Sequence, residues 1–188
     1  MRKLTSHFHI TLDGFMADPA GGMDWIGARH DEETWDDVAD GMKNTDCVLF
    51  GRKTYGMFVG YWPVAENDPK AGPRDRGFAK WIGDTEKVVF TRTLKDAGWR
   101  KARVAKDPVA DVKALKEKPG NNLLVFGSQS LVATLWNAGL VDELRLHLHP
   151  VAIGQGISFS RGFEQKEWKV ERTKPLKNGI MSLTFRKL

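Results

Sequence analysis

Three apolar runs in this chain each end in a turn built from glycine, hydroxyl or cationic side chains. They are Val48-Leu-Phe-Gly-Arg-Lys-Thr-Tyr-Gly56, Val88-Val-Phe-Thr-Arg-Thr93 and Leu123-Leu-Val-Phe-Gly-Ser-Gln-Ser-Leu131. Short continuous apolar runs alternating with helical patterns call for a mainly parallel sheet covered on both faces. A strand that delivers its chain into a helix start also makes an anion site. The first backbone N–H groups are unpaired and the helix dipole favours negative charge there. Arg52 and Lys53 add two formal charges at the first turn. Three such turns fit one extended, multiply charged ligand, such as a dinucleotide, better than three separate anions.

The rest of the chain fills in this pattern. Residues 2–12 alternate as a strand that ends in Leu12-Asp13-Gly14, and residues 18–22 form a Pro/Gly loop. Residues 31–42 space Trp35, Val38, Ala39 and Met42 as a helix with acids at its start. Residues 47–50 read as a buried strand and 52–58 as a short helix. Residues 62–76, rich in Pro, Gly and charge, read as a long surface loop, either a lid or an insertion. Further strands are expected at 87–90, 102–105, 123–126 and 143–151, with helices at 109–116 and 130–137. A closing hairpin at 168–173 and 180–187 turns around Asn178-Gly179.

With 188 residues and 41% hydrophobic content, the chain can bury one sizeable core, and a single domain over residues 1–188 is expected. Seven Trp argue against disorder. No apolar stretch approaches a membrane span, and the N-terminus lacks the apolar core of a signal peptide. Cys47 is the single cysteine and lies in an apolar run, so the expectation is an inert thiol in a reducing cytoplasm. The net charge of +5 is spread among 24 acids, which favours an anionic metabolite over a nucleic acid or a membrane.

Taken in order, Thr11-Leu-Asp-Gly14, Gly51-Arg-Lys-Thr54, Phe90-Thr-Arg-Thr93, Phe126-Gly-Ser-Gln-Ser-Leu131 and Gly139-Leu-Val-Asp-Glu-Leu144 resemble the dihydrofolate reductase-like superfamily. The branch they resemble is the C-terminal reductase domain of the riboflavin-biosynthesis deaminase/reductase. The resemblance implies a three-layer αβα sandwich, with a mixed, mainly parallel sheet and an antiparallel C-terminal hairpin. It also implies NADPH along one sheet edge and, commonly, a homodimer. Gly51, Arg52, Lys53 and Thr54 would then hold the pyrophosphate and adenosine phosphates. Thr91 and Arg92 would contact the 2′-phosphate, a task suited to the guanidinium fork. Gly127, Ser128, Gln129, Ser130 and Leu131 would cradle the pyrophosphate, with Ser128 standing where a second glycine is common. Gly22-Met-Asp-Trp25 resembles the loop over nicotinamide, making Trp25 either a pocket wall or an ordinary buried Trp.

Such reductases transfer hydride from nicotinamide, and a proton must follow. The acid that folate reductases carry early in the next helix falls near Trp35, with Glu33 and Asp36 beside it. Trp35 and Glu33 are therefore candidate lining of the substrate pocket. His9, Thr11 and Asp13 end the first strand, and His147 and His149 repeat the spacing on the strand expected beside it. Imidazole near neutral pKa can supply a proton, so His9, Thr11, Asp13 and His147 form the candidate catalytic set. Two His-x-His pairs are also a possible metal motif, but no carboxylate or cysteine is evidently placed to complete it, and the resemblance implies no metal. One cysteine cannot build the zinc deaminase site of the bifunctional enzyme. The expectation is an NADPH-dependent reductase acting on 5-amino-6-(5-phosphoribosylamino)uracil or a related, phosphorylated heterocycle. A dihydrofolate or pterin reductase and a non-catalytic nucleotide-binding protein are the alternatives.

Overall fold

The computed structural model describes residues 1–27 and 29–188. The first half of the chain forms β1 (Leu4–Thr11), β2 (Phe15–Ala17), α1 (Asp24–Gly27), α2 (Glu32–Met42), β3 (Thr45–Gly51), α3 (Arg52–Ala65), α4 (Pro73–Asp84) and β4 (Glu86–Phe90). The second half forms β5 (Ala102–Ala105), α5 (Pro108–Glu117), β6 (Asn122–Phe126), α6 (Gln129–Asn137) and β7 (Glu143–His149). It closes with β8 (Ile157–Ser158), β9 (Trp168–Pro175) and β10 (Met181–Lys187).

Eight strands make one sheet in the order β5-β4-β3-β6-β1-β7-β10-β9, and β2 and β8 pair separately. The pairings from β5 to β7 are parallel, whereas β10 lies antiparallel to both β7 and β9. Strand side chains alternate between faces, and each face has its own core. Leu49, Val88, Leu123 and Val125 pack with Val112 and Leu115 of α5 and Leu131 and Leu135 of α6. Val48, Phe50, Val89 and Leu124 pack on the other side with Tyr55 of α3 and Phe78 and Ile82 of α4, together with Trp35 and Met42 of α2. The result is the expected αβα sandwich. Cys47 is fully buried in the first of these cores, where burial pushes its thiol up to about 11.

Residues 62–76 are not a long loop. α3 continues through Pro63 to Ala65, and α4 begins at Pro73, leaving only 66–72 as a connection. Phe58, Val59 and Trp62 form one stripe of α3 that packs on α4, with the Trp62 and Phe78 rings 4.4 Å apart. Pro73 is a first-turn residue of α4, where its missing N–H has no intrahelical partner to lose, whereas Pro63 lies inside the last turn of α3, which continues past it.

Candidate active site

Because β4, β3 and β6 are parallel neighbours, their C-terminal ends bring the three turns identified in the sequence to one edge of the sheet. α3 starts at Gly51 and α6 at Ser128, and neither start has a side-chain cap. The capped helices show the contrast. Asp31 accepts from Thr34 N–H at the start of α2, and Asp107 accepts from Val109 and Ala110 N–H at the start of α5. Arg52, Lys53 and Arg92 are exposed at this edge, and no ion pair among the described residues uses them. The Thr91 hydroxyl accepts from Thr93 and Leu94 N–H, which shapes the turn that carries Arg92.

Gly127 and Ser128 both have left-handed backbones, with φ of 51° and 54°. Ser128 therefore takes the conformation that a second glycine would adopt without strain. Its Oγ accepts from Gly51 N–H at 2.9 Å, so one hydroxyl joins the start of α6 to the start of α3. A Cβ at Gly51 would sit 3.3 Å from that oxygen, a tight approach that suits glycine. Gln129 turns away to donate to the Arg161 carbonyl, the Ser130 side is exposed, and Leu131 is in the core. The backbone of residues 127–131, more than these last side chains, forms the cradle.

Further along the same sheet, all five histidines of the chain gather. His7 and His9 share the face of β1 opposite Phe8 and Ile10, and His9 is directly across from His147 on β7. His7 Nε2 lies 2.8 Å from His147 Nδ1, and His9 Nδ1 lies 2.9 Å from His149 Nε2. The His30 ring packs edge-on to His9, with centroids 5.6 Å apart. Asp37 of α2 closes the network. Its carboxylate accepts from His147 Nε2 at 3.0 Å, Ser182 Oγ at 2.5 Å and Arg172 at 2.8 Å. Burial raises the Asp37 pKa, but these hydrogen bonds lower it by more, so the group stays well below the usual carboxylate range.

That ionised carboxylate fixes the tautomers above it. His147 donates its Nε2–H to Asp37, which leaves its Nδ1 to accept the Nε2–H of His7. Burial and the neighbouring imidazoles hold His7 and His9 well below their ordinary pKa, and burial likewise lowers His149 to about 4. Of the stacked pairs on β1 and β7, His9 is the half-buried member, while His7, His147 and His149 are buried. It is the one of the four rings that reaches the surface.

The remaining sequence candidates are placed less centrally. The Thr11 hydroxyl donates to Asp13 and accepts from Phe15 N–H, and Asp13 Oδ2 accepts from Ile153 and Gly154 N–H. Together they pin the loop after β7 to the end of β1. Trp25 packs edge-on to His149 at 4.8 Å, and its buried Nε1 has no partner among the described residues. Glu33 accepts from Lys177 N–H in the closing hairpin, and Trp35 packs between His30 and Phe78. The acid that α2 turns toward the sheet is Asp37, not Glu33 or the exposed Asp36, which pairs with Arg74. In the structure Asp37 shares its helix face with the buried Thr34 three residues earlier, a face that the apolar stripe of Trp35, Val38 and Met42 does not reveal from sequence.

With this geometry in view, the comparisons are decisive for family. A family profile described as the RibD C-terminal domain matches residues 2–182. The chain belongs to that family. The Bacillus subtilis protein YyaP is 29% identical over 185 residues, covering 98% of this chain and 94% of YyaP. Among solved structures, the Thermotoga maritima diaminohydroxyphosphoribosylaminopyrimidine deaminase/5-amino-6-(5-phosphoribosylamino)uracil reductase aligns with a TM-score of 0.68 at 16% identity. That match covers 100% of this chain and 57% of the bifunctional one. The Enterococcus faecalis dihydrofolate reductase, complexed with NADP(H) and RAB-propyl, aligns with a TM-score of 0.67 at 14% identity, covering 98% and 95% of the two chains. At such identities these two likenesses are of fold alone. Among the described residues no helix is long and apolar enough to cross a membrane.

Proposed function

We propose that this protein is an NADPH-dependent reductase of a nitrogen heterocycle, with a 5-amino-6-(5-phosphoribosylamino)uracil-like compound as the type of substrate. The observation that carries the reading is the edge formed by β4, β3 and β6. Two helix starts without side-chain caps and three exposed cations there suit the phosphates of a dinucleotide. Gly51, the Gly127–Ser128 turn and the N–H groups that follow would hold the pyrophosphate, and Arg92 the 2′-phosphate. NADPH, when bound there, would supply the hydride needed at the carbon of a C=N or opened-sugar carbonyl group. The accompanying proton goes to its nitrogen or oxygen.

His9, held neutral by its burial and hydrogen-bonded to His149, would orient and hydrogen-bond the group that takes up the proton, while Asp37 fixes the tautomers of His147 and His7 beside it. The unpartnered Nε1 of Trp25 and Nδ1 of His149 leave a donor and a ring nitrogen for the polar edge of a heterocycle. The folate alternative is less well supported. Asp37, the inward acid of α2, is committed to His147, Ser182 and Arg172 and is held ionised, so it has no proton to give a pterin.

Titration with NADPH and NADH, followed by tryptophan fluorescence, tests the reading. NADPH should bind at least about tenfold more tightly than NADH, a difference of about 1.4 kcal/mol. Arg92→Ala should erase most of that preference while leaving NADH binding intact. Absence of saturable binding by either nucleotide would refute the reductase assignment.

A further inference from the structure

We infer that His7, His9 and His147 form a binding site for one divalent transition-metal ion of the zinc type. The inference rests on the histidine geometry and not on the reductase reading. Each residue offers one ring nitrogen, and the three nitrogens lie within 4.8 Å of one another. The backbone explains why. His7 and His9 are two apart on β1 and so share a face, and His147 is the cross-strand partner of His9. A tetrahedral ion with bonds of about 2.0–2.1 Å needs ligand nitrogens roughly 3.3 Å apart. Side-chain rotation alone can reach that spacing from here.

The atoms behind the ligands are also arranged as a metal site requires. Ligating histidines are held by a hydrogen bond at their second nitrogen, which sets the ring orientation and presents a lone pair to the ion. His147 Nε2 is bound to the Asp37 carboxylate, which leaves Nδ1 as an acceptor. His9 Nδ1 is bound to His149 Nε2. The absence of a carboxylate from the ligand set, which seemed from sequence to leave the motif incomplete, is thus resolved. Three imidazoles are sufficient ligands for an open site, and the acid stands one bond further out.

The donor set selects the ion. Imidazole nitrogens suit zinc, nickel, copper and cobalt, whereas magnesium and calcium need oxygen ligands that this cluster does not provide. Cys47 packs in the core on the opposite face of the sheet and takes no part. Loading requires two local changes. The His7–His147 hydrogen bond opens as His7 moves its proton to Nδ1, and His9, stacked on His147 with an interplanar angle of 23°, rotates toward the ion. His9 is the half-buried ring of the three ligands, so it is the one that rotates. An ion there occupies the ring nitrogen that would otherwise hydrogen-bond the substrate, so loading is expected to slow any reduction.

The test is metal binding by the whole chain after stripping with EDTA. Equilibrium dialysis against zinc chloride, with metal counted by mass spectrometry, should give about one equivalent per chain, and magnesium chloride none. Cobalt chloride should give the visible absorption of a four-coordinate nitrogen site. Zinc should raise the thermal midpoint of the wild type and of His30→Gln, whose ring lies beside the cluster but outside the ligand set. His9→Gln should weaken binding at least tenfold while its metal-free circular dichroism and midpoint stay near wild type. His147→Gln should weaken binding at least as much but with a lowered metal-free midpoint, because it also breaks the contact to Asp37, and if it fails to fold, His9→Gln alone carries the test. Binding below a tenth of an equivalent, or undiminished binding by His9→Gln, overturns the site. None of these readouts uses NADPH or turnover, so the metal site and the reductase reading stand or fall separately.

Discussion

The two faces of β1 and β7 are built from alternate residues of the same strands and have opposite interiors. On one face Leu4, Phe8, Ile10, Leu144 and Leu146 join the apolar core beneath α5 and α6. On the other, His7, His9, His147 and His149 meet Asp37 of α2 and Ser182 of β10. The apolar face tolerates imperfect fit, since burial of area is non-directional. The histidine face does not, because each buried polar atom must find a partner or bear the full desolvation cost. Stability can therefore be spread over many residues on the first face, whereas on the second it hinges on a few.

The largest expected effects come from removing one residue from each face. Asp37→Ala leaves His147, Arg172 and Ser182 without their acceptor and should cost about 3–5 kcal/mol in urea unfolding. Leu135→Ala, in the fully buried stripe of α6, should cost about 2–5 kcal/mol through lost burial and a cavity. The two differ in coupling. Combined with His147→Ala, the Asp37 loss should be non-additive by about 1–3 kcal/mol, and the Leu135 loss additive to about 0.5 kcal/mol. Equal additivity for both would erase the distinction between the faces.

Acid sharpens the contrast next. His149 has its folded pKa lowered to about 4, and burial also lowers His7, His9 and His30. Between that value and the unfolded value of about 6.5, the unfolded chain binds more protons than the folded one. Stability is therefore complete above about pH 6.5 and falls as the pH drops toward 4. His149 alone contributes a slope of about 1 kcal/mol per pH unit. In EDTA-treated protein, His149→Gln should flatten the wild-type curve by that amount. Leu135→Ala should lower the curve without changing its slope, and a slope change there would mean that the apolar face is coupled to the imidazoles.

The same contrast explains what could be read from the sequence. The buried parallel strands are continuous apolar runs, and the three turns are local strings, so both were legible. α4 was not. Gly72-Pro73 and the charges at Arg74, Asp75 and Arg76 look like a loop, and the stripe of Phe78, Ala79 and Ile82 that makes the segment a helix lies beyond them. The His-x-His alternation announced a polar face on β1 and β7, but its anchor did not. Asp37 is 110 residues from His147 and 145 from Ser182, and only the folded sheet brings α2 over both. A local motif can name the residues of a turn. A network assembled from β1, α2, β7 and β10 leaves no such local string, and the acid that anchors it is one of several in the first turns of α2.

The smallest expected effect concerns the single hydroxyl that links α6 to α3. Ser128 sits at φ 54° and ψ 56°, where a side chain costs roughly 1 kcal/mol relative to glycine. Its Oγ offsets this by accepting from Gly51 N–H. Ser128→Ala keeps the strain and loses the acceptor, and should lower stability by about 1 kcal/mol. Ser128→Gly loses the same acceptor but releases the strain, so it should lie close to wild type and above the alanine variant in thermal midpoint. If the two variants are equally unstable, the hydroxyl matters far more than the backbone, and this turn behaves like the histidine face. If glycine fully recovers stability, backbone conformation dominates, and the serine is a glycine site that has gained one useful contact.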